Sequence, residues 1–232
     1  NSLISVIESF RERNVFLTTL GFGMGNYNDR DMEQLANKGN GNYAYIDSPA
    51  EARRVFQDKL LGTLQVIAKD VKVQVEFNTD YISEFRLIGY ENRVLDHQDF
   101  EDDTKDAGEL GSGHSVTALY EVRLVSEPDL ETTNENALSV SLRYKQPDGT
   151  ESLEFSTDLP VSQTGTPFES ASGDFKFAAA VAEFAEILRR SPFSEESDFS
   201  TIKEIAQAHA GAHDDRNEFV DLVEKAFRLW DQ

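Results

Sequence analysis

The sequence predicts an α+β chain: a partial α/β segment with a parallel sheet, then an antiparallel β-sandwich-like domain, then C-terminal helices. Three observations predict it. Residues 1–65 alternate helical and strand patterns, residues 70–160 alternate apolar and polar side chains around turn signals, and residues 174–231 return to helical spacing. A boundary near residues 62–70 gives two domains, 1–65 and 66–232.

Leu3, Ile4, Ile7 and Phe10 predict a helix over 2–12. Val15–Leu20 is a short apolar run that predicts a buried strand. Asp29 is placed to cap a helix through Ala36, stopped at Lys38-Gly39. Tyr43–Ile46 predicts the next strand. Ser48, Pro49 and Glu51 form a start signal for a helix carrying Ala52, Val55, Phe56 and Leu60 on one face.

Val71, Val73, Val75 and Phe77 then alternate with Lys72, Gln74 and Glu76, which predicts a strand with its valine face buried. Further strands are expected over 82–90, 114–125 and around Leu138–Tyr144. A turn at Pro147-Asp148-Gly149 leads into a return strand starting at Leu153 and Phe155. Asp174 is placed to cap a helix from Phe175 to Arg190, whose alanines Ala178–Ala182 would pack against the sheet. Thr201 with Glu204, and Asp215 with Glu218, read as capping boxes of two more helices. The last carries Phe219, Leu222, Val223, Ala226, Phe227 and Trp230 as one stripe.

The chain has 43 acidic and 22 basic residues in 232, a net charge of −21. That balance repels phosphate backbones and anionic lipid surfaces, so no nucleic-acid partner is expected. Basic partners, divalent cations or a salty habitat are the readings it leaves. There are no cysteines, which excludes disulfides, thiolate zinc sites and cysteine nucleophiles. No run reaches the roughly 20 apolar residues of a membrane span, and Asn1–Phe10 lacks the features of a signal peptide. The chain opens without Met inside a helical pattern, which predicts a piece of a longer protein.

The long loop between the strands at 82–90 and 114–125 carries Asp96, Asp99, Glu101, Asp102, Asp103, Asp106 and Glu109. A loop of this length and composition invites a calcium reading. With Asp99 as the first position of an EF-hand loop, Glu101, Asp103 and Lys105 fall at the third, fifth and seventh. Thr104 replaces the required glycine and Leu110 the closing glutamate, so the EF-hand fails. An irregular calcium site drawing on Asp99, Glu101, Asp103 and Asp106 remains an alternative. The other reading has these carboxylates paired with Arg86, Arg93 or Arg123, capping amides or facing solvent.

Other constellations carry less. The turn Gly21-Phe22-Gly23-Met24-Gly25 has Asn26 where a dinucleotide fingerprint needs glycine. His209 and His213 are four apart, with Gly211 between them and no third ligand placed. His114 and Ser115 would point to opposite faces of a strand. No nucleophile elbow, phosphate loop or catalytic carboxylate pair is visible, so no catalytic residue is assigned and no enzyme is expected.

LTTLGFGMGNYND at 17–29, followed by LANKGNGNYAYID at 35–47, resembles the C-terminal end of a von Willebrand factor type A (VWA) domain. ENRVLDHQDFEDDTKDAGELGSGHSVTALYEV and DFKFAAAVAEFAEILRRSPF resemble the domain that follows it in bacterial YfbK-like proteins. The resemblance implies a doubly wound fold over 1–65 and a metal-ion-dependent adhesion motif, Asp-x-Ser-x-Ser. That motif is absent from all 232 residues, so no metal ligand carries over. It also implies a cell-envelope setting, periplasmic or extracellular.

A strand at Val15–Leu20 without its neighbours would present an open apolar edge. The expected occupant is a protein partner, the N-terminal half of the VWA domain or a second copy. The function expected is a non-catalytic interaction or adhesion-type module. The alternatives are a calcium-dependent scaffold using the 96–109 loop and an uncharacterised hydrolase.

Overall fold

The computed structural model describes residues 2–11, 13, 15–23, 28–58, 65–90, 94–105, 107–125, 135–195 and 197–230. Two compact units are assembled from interleaved segments. The first comprises 1–76, 95–116 and 139–157, and the second 77–94, 117–138 and 158–232.

In the first unit, α1 (Ser2–Arg11) leads into β1 (Thr19–Phe22), α2 (Asp29–Lys38), β2 (Tyr43–Ile46) and α3 (Pro49–Arg53). β1 and β2 are parallel, with Thr19 opposite Tyr43 and Phe22 opposite Ile46. The expected strand over Val15–Leu20 is thus shifted. The Leu17 amide donates to the Gly39 carbonyl at 2.9 Å, and the ladder begins only at Thr19. Gly41 permits this crossing, since a Cβ there would lie 1.9 Å from the Leu17 carbonyl oxygen.

Asn28 caps α2, accepting from the Asp31 amide, one residue before the expected Asp29. Ser48 caps α3 through the Glu51 amide at 3.2 Å, as expected. The helix then widens into a π turn over Arg54–Asp58, which changes the residue spacing and leaves Phe56 exposed. Leu60 of the expected stripe lies outside the described residues.

β3 (Val66–Phe77), β5 (Gly108–Gly111), β7 (Asn136–Lys145) and β8 (Ser152–Pro160) form a four-stranded sheet in the order β5-β3-β7-β8. β5 falls inside the segment expected to be loop. It pairs antiparallel with β3, but four residues of β3 from Ala68 to Val71 lie opposite three of β5 from Leu110 to Gly108. The extra residue is a bulge, and Asp70 within it has φ of 49°. Just beyond it the expected burial is reversed at one pair, Lys72 being only 3% exposed and Val73 58%, whereas Val75 and Phe77 are half-buried and Glu76 exposed as expected.

In the second unit, β4 (Ile82–Ile88) and β6 (Leu119–Leu124) form a separate antiparallel ribbon, shorter than the spans expected at 82–90 and 114–125. Phe77 stacks on Phe85 with centroids 4.2 Å apart and meets Tyr120 edge-on. Ile82, Ala137 and Val161 form a small core beside Phe77 and Tyr81.

The largest core lies among the helices α4 (Gly173–Leu188), α5 (Phe199–His209) and α6 (Asp214–Trp230). Ala180, Phe184, Ile202, Ala206 and Val223 are buried there, so Ala180 of the alanine run packs helix on helix. The helix starts are also revised. Ser172 caps α4, releasing Asp174 to pair with Arg216, and Asp198 caps α5 through Thr201. Asp215 lies within the first turn of α6, where it accepts from the Arg216 amide. Leu222, Phe227 and Trp230 of the final stripe are exposed, while Val220 and Val223 are buried. No helix of the described residues is long and apolar enough to cross a membrane.

Candidate functional site

The acidic loop is the feature with the densest charge, and local geometry shapes it first. A single 3-10 turn at His97–Asp99 follows Asp96, whose carbonyl accepts from the Asp99 amide at 2.8 Å. The Asp102 carboxylate accepts from the amide and hydroxyl of Thr104 at 2.9 and 2.6 Å. Phe100 is buried and anchors the turn. After the tip, β5 returns the chain to the sheet, and the Glu109 carboxylate accepts from Asn40 at 2.7 Å.

Cations on the strands bind this loop. Lys72 Nζ donates to the carbonyl oxygens of Asp99 at 2.9 Å and Asp102 at 2.5 Å. Arg143 on β7 bridges Asp103 and Glu154, each at 3.1 Å. Lys145 donates to Asp70 at 2.8 Å and to the Asp103 carbonyl at 3.2 Å. Ser152 on β8 donates to Asp103 at 2.5 Å, and Lys105 lies 3.3 Å from Asp99. Hydrogen bonds from Ser152 and then Arg143 hold the Asp103 carboxyl below its ordinary value. Those from Thr104 do the same for Asp102. The Arg143 guanidinium is raised, first by its hydrogen bond to Asp103.

Asp99 and Asp103 are therefore both engaged by cations, whereas Glu101 faces solvent. Asp106 lies outside the described residues. Among those described, no group of three or more His, Asp or Glu is arranged to hold a metal ion. Two of the three expected counter-ions pair elsewhere, while the expected amide cap is seen at Asp102 and the expected solvent exposure at Glu101. Arg86 pairs with Glu121 and Glu186, and Arg123 with Glu84, while Arg93 lies outside the described residues. The sequence signal missed was the polar side of the strands. Lys72, Arg143 and Lys145 alternate with apolar residues, and a loop of carboxylates between strands needs counter-charges on one sheet face.

The lesser constellations stay apart. Gly23 has φ of 84° at the end of β1, and Met24–Tyr27 lie outside the described residues. His114 and Ser115 are exposed between β5 and β6 and belong to neither strand. His209 ends α5 and His213 precedes α6, and both carbonyls accept from side chains of α6, Arg216 and Asn217.

The family model described as "Uncharacterized protein YfbK, C-terminal" matches residues 62–229. This chain belongs to the YfbK C-terminal family. The "Uncharacterized protein YfbK" of Escherichia coli (strain K12) is 36% identical over 241 residues, an alignment that takes in 97% of this chain. The chain spans 41% of the length of that curated relative. Among solved structures, the crystal structure of the ArnB paralog VWA2 from Sulfolobus acidocaldarius aligns with 91% of this chain and 51% of its own. Its TM-score is 0.43 and its identity 16%. The YfbK-like resemblance read from residues 89–122 and 174–193 is confirmed by the family match.

Proposed function

We propose that this chain is a non-catalytic protein-interaction module, of adhesion type, within a bacterial cell-envelope protein. The observation that carries the reading is the parallel pair β1–β2. Among the described residues it has two strands alone, so each strand keeps one unpaired edge. Parallel strands occur almost only in larger sheets covered on both faces, and a two-stranded sheet is marginal by itself. Leu3, Val6, Phe10, Val15 and Phe22 of the same unit are exposed. Such a sheet is suited to receive a strand from a protein partner, from the remainder of a longer YfbK-like protein or from a second copy of the chain. The acidic loop suits the same role, because charged tethers fix it to the sheet as a firm surface.

Light scattering combined with amide exchange tests the proposal. The expected outcome is self-association, or slowed exchange along Thr19–Phe22 once the remaining part of the longer protein is added. A monodisperse monomer whose Thr19–Phe22 amides exchange rapidly under both conditions removes it.

A further inference from the structure

We infer that Lys72 is a built-in cation that orders the acidic loop in place of a metal ion. Bringing Asp96, Asp99, Glu101, Asp102 and Asp103 into one turn gathers like charges that repel unless a cation sits among them. Calcium-binding loops meet that need with an external ion held by carboxylates and backbone carbonyls. In this chain the ion is tethered. The Lys72 ammonium, on a side chain that is almost fully buried, takes two carbonyl oxygens from residues three apart in the turn, Asp99 at 2.9 Å and Asp102 at 2.5 Å.

An ammonium has three donors and no acceptor, so a position between carbonyl oxygens suits it as it suits a small cation. The surrounding carboxylates are engaged by protein cations as well: Asp99 by Lys105 and Asp103 by Arg143. Lys145 adds a third backbone contact at the Asp103 carbonyl, 3.2 Å away. Lys72 belongs to β3, so it also fixes the loop to the sheet. The loop is therefore ordered without calcium, and the burial of Lys72 is the means.

The test measures amide exchange over residues 96–105 and the melting temperature of the full chain, in EDTA and in millimolar calcium. In the wild type, exchange and melting are expected to be the same in both buffers. Lys72→Met keeps the length and removes the charge, leaving two carbonyls unsatisfied. Its exchange over 96–105 should accelerate about tenfold or more, with β4 and β6 unchanged. Calcium that slows wild-type exchange or raises wild-type melting overturns the proposal, as does unchanged protection in a folded Lys72→Met. If that variant does not fold, the wild-type comparison decides by itself.

Discussion

Arg86 on β4 and Glu186 on α4, a hundred residues apart, are joined by a 2.8 Å ion pair. The Glu186 side chain is only 7% exposed and also accepts from the Ser191 hydroxyl at 2.7 Å. Arg86 is further bound by Glu121 and lies 4.0 Å from the centre of the Phe193 ring. Burial by itself would lower the Arg86 pKa, but hydrogen bonds to Glu121 and Glu186 outweigh it and raise the group. This pair fastens ribbon to helix within the second unit.

Replacing Arg86 with Met removes one of the two cations on the Glu186 carboxylate, which keeps Arg189 and the Ser191 hydroxyl, and should cost about 1.5–3 kcal/mol. Urea unfolding reports it, because the one tryptophan, Trp230, packs on Phe199 in the same unit. Combining the change with Glu186→Gln should restore much of the loss. Equal loss in the single and double variants would show that the charge pair is not the source.

Ile202 is fully buried in the helical core. Ile202→Ala should destabilise that core by about 2–5 kcal/mol, seen as an earlier Trp230 transition. Exchange along Thr19–Phe22, in the first unit, should be unaffected.

Gly41→Ala should disrupt the α/β segment, since the added Cβ meets backbone at Leu17 that cannot rotate away. A cost of about 1–3 kcal/mol or more is expected. It reads out as faster exchange at Thr19–Phe22 with the Trp230 transition unchanged.

Several carboxylates predict acid sensitivity. Asp103, Asp174 and Asp198 are lowered in the fold, first by hydrogen bonds from Ser152, Arg216 and Thr201 respectively. A depressed folded value means the stabilisation is complete above the unfolded value of about 3.9. It is lost as the pH falls through the lower folded values. Melting temperature should therefore decline below about pH 4, and Asp198→Asn should flatten part of that decline.

Local rules were legible where a single turn decides them. The Ser48-Pro49-Glu51 start, the Tyr43–Ile46 strand and the turn after Gln146 all stand as read. Caps slipped by a residue or more at Asp29, Asp174 and Thr201, because a neighbouring Asn28, Ser172 or Asp198 offered the same oxygen in better position. The acidic loop was visible as a segment, but β5 within it was not. Its four residues, Gly108–Gly111, carry little strand propensity and are strand only because β3 pairs with them.

The sequence by itself determined the mixed class, the family, the excess of acid and the alternation of Lys72 and Arg143 with apolar neighbours. These follow from periodicity, composition and motif, which are local properties of the chain. Only the tertiary structure decided which face of β3 is covered and which cations meet which carboxylates. Alternation separates the two faces of a strand without naming the buried one. Here a loop some thirty residues away in sequence folds its carbonyls over Lys72 and leaves Val73 exposed.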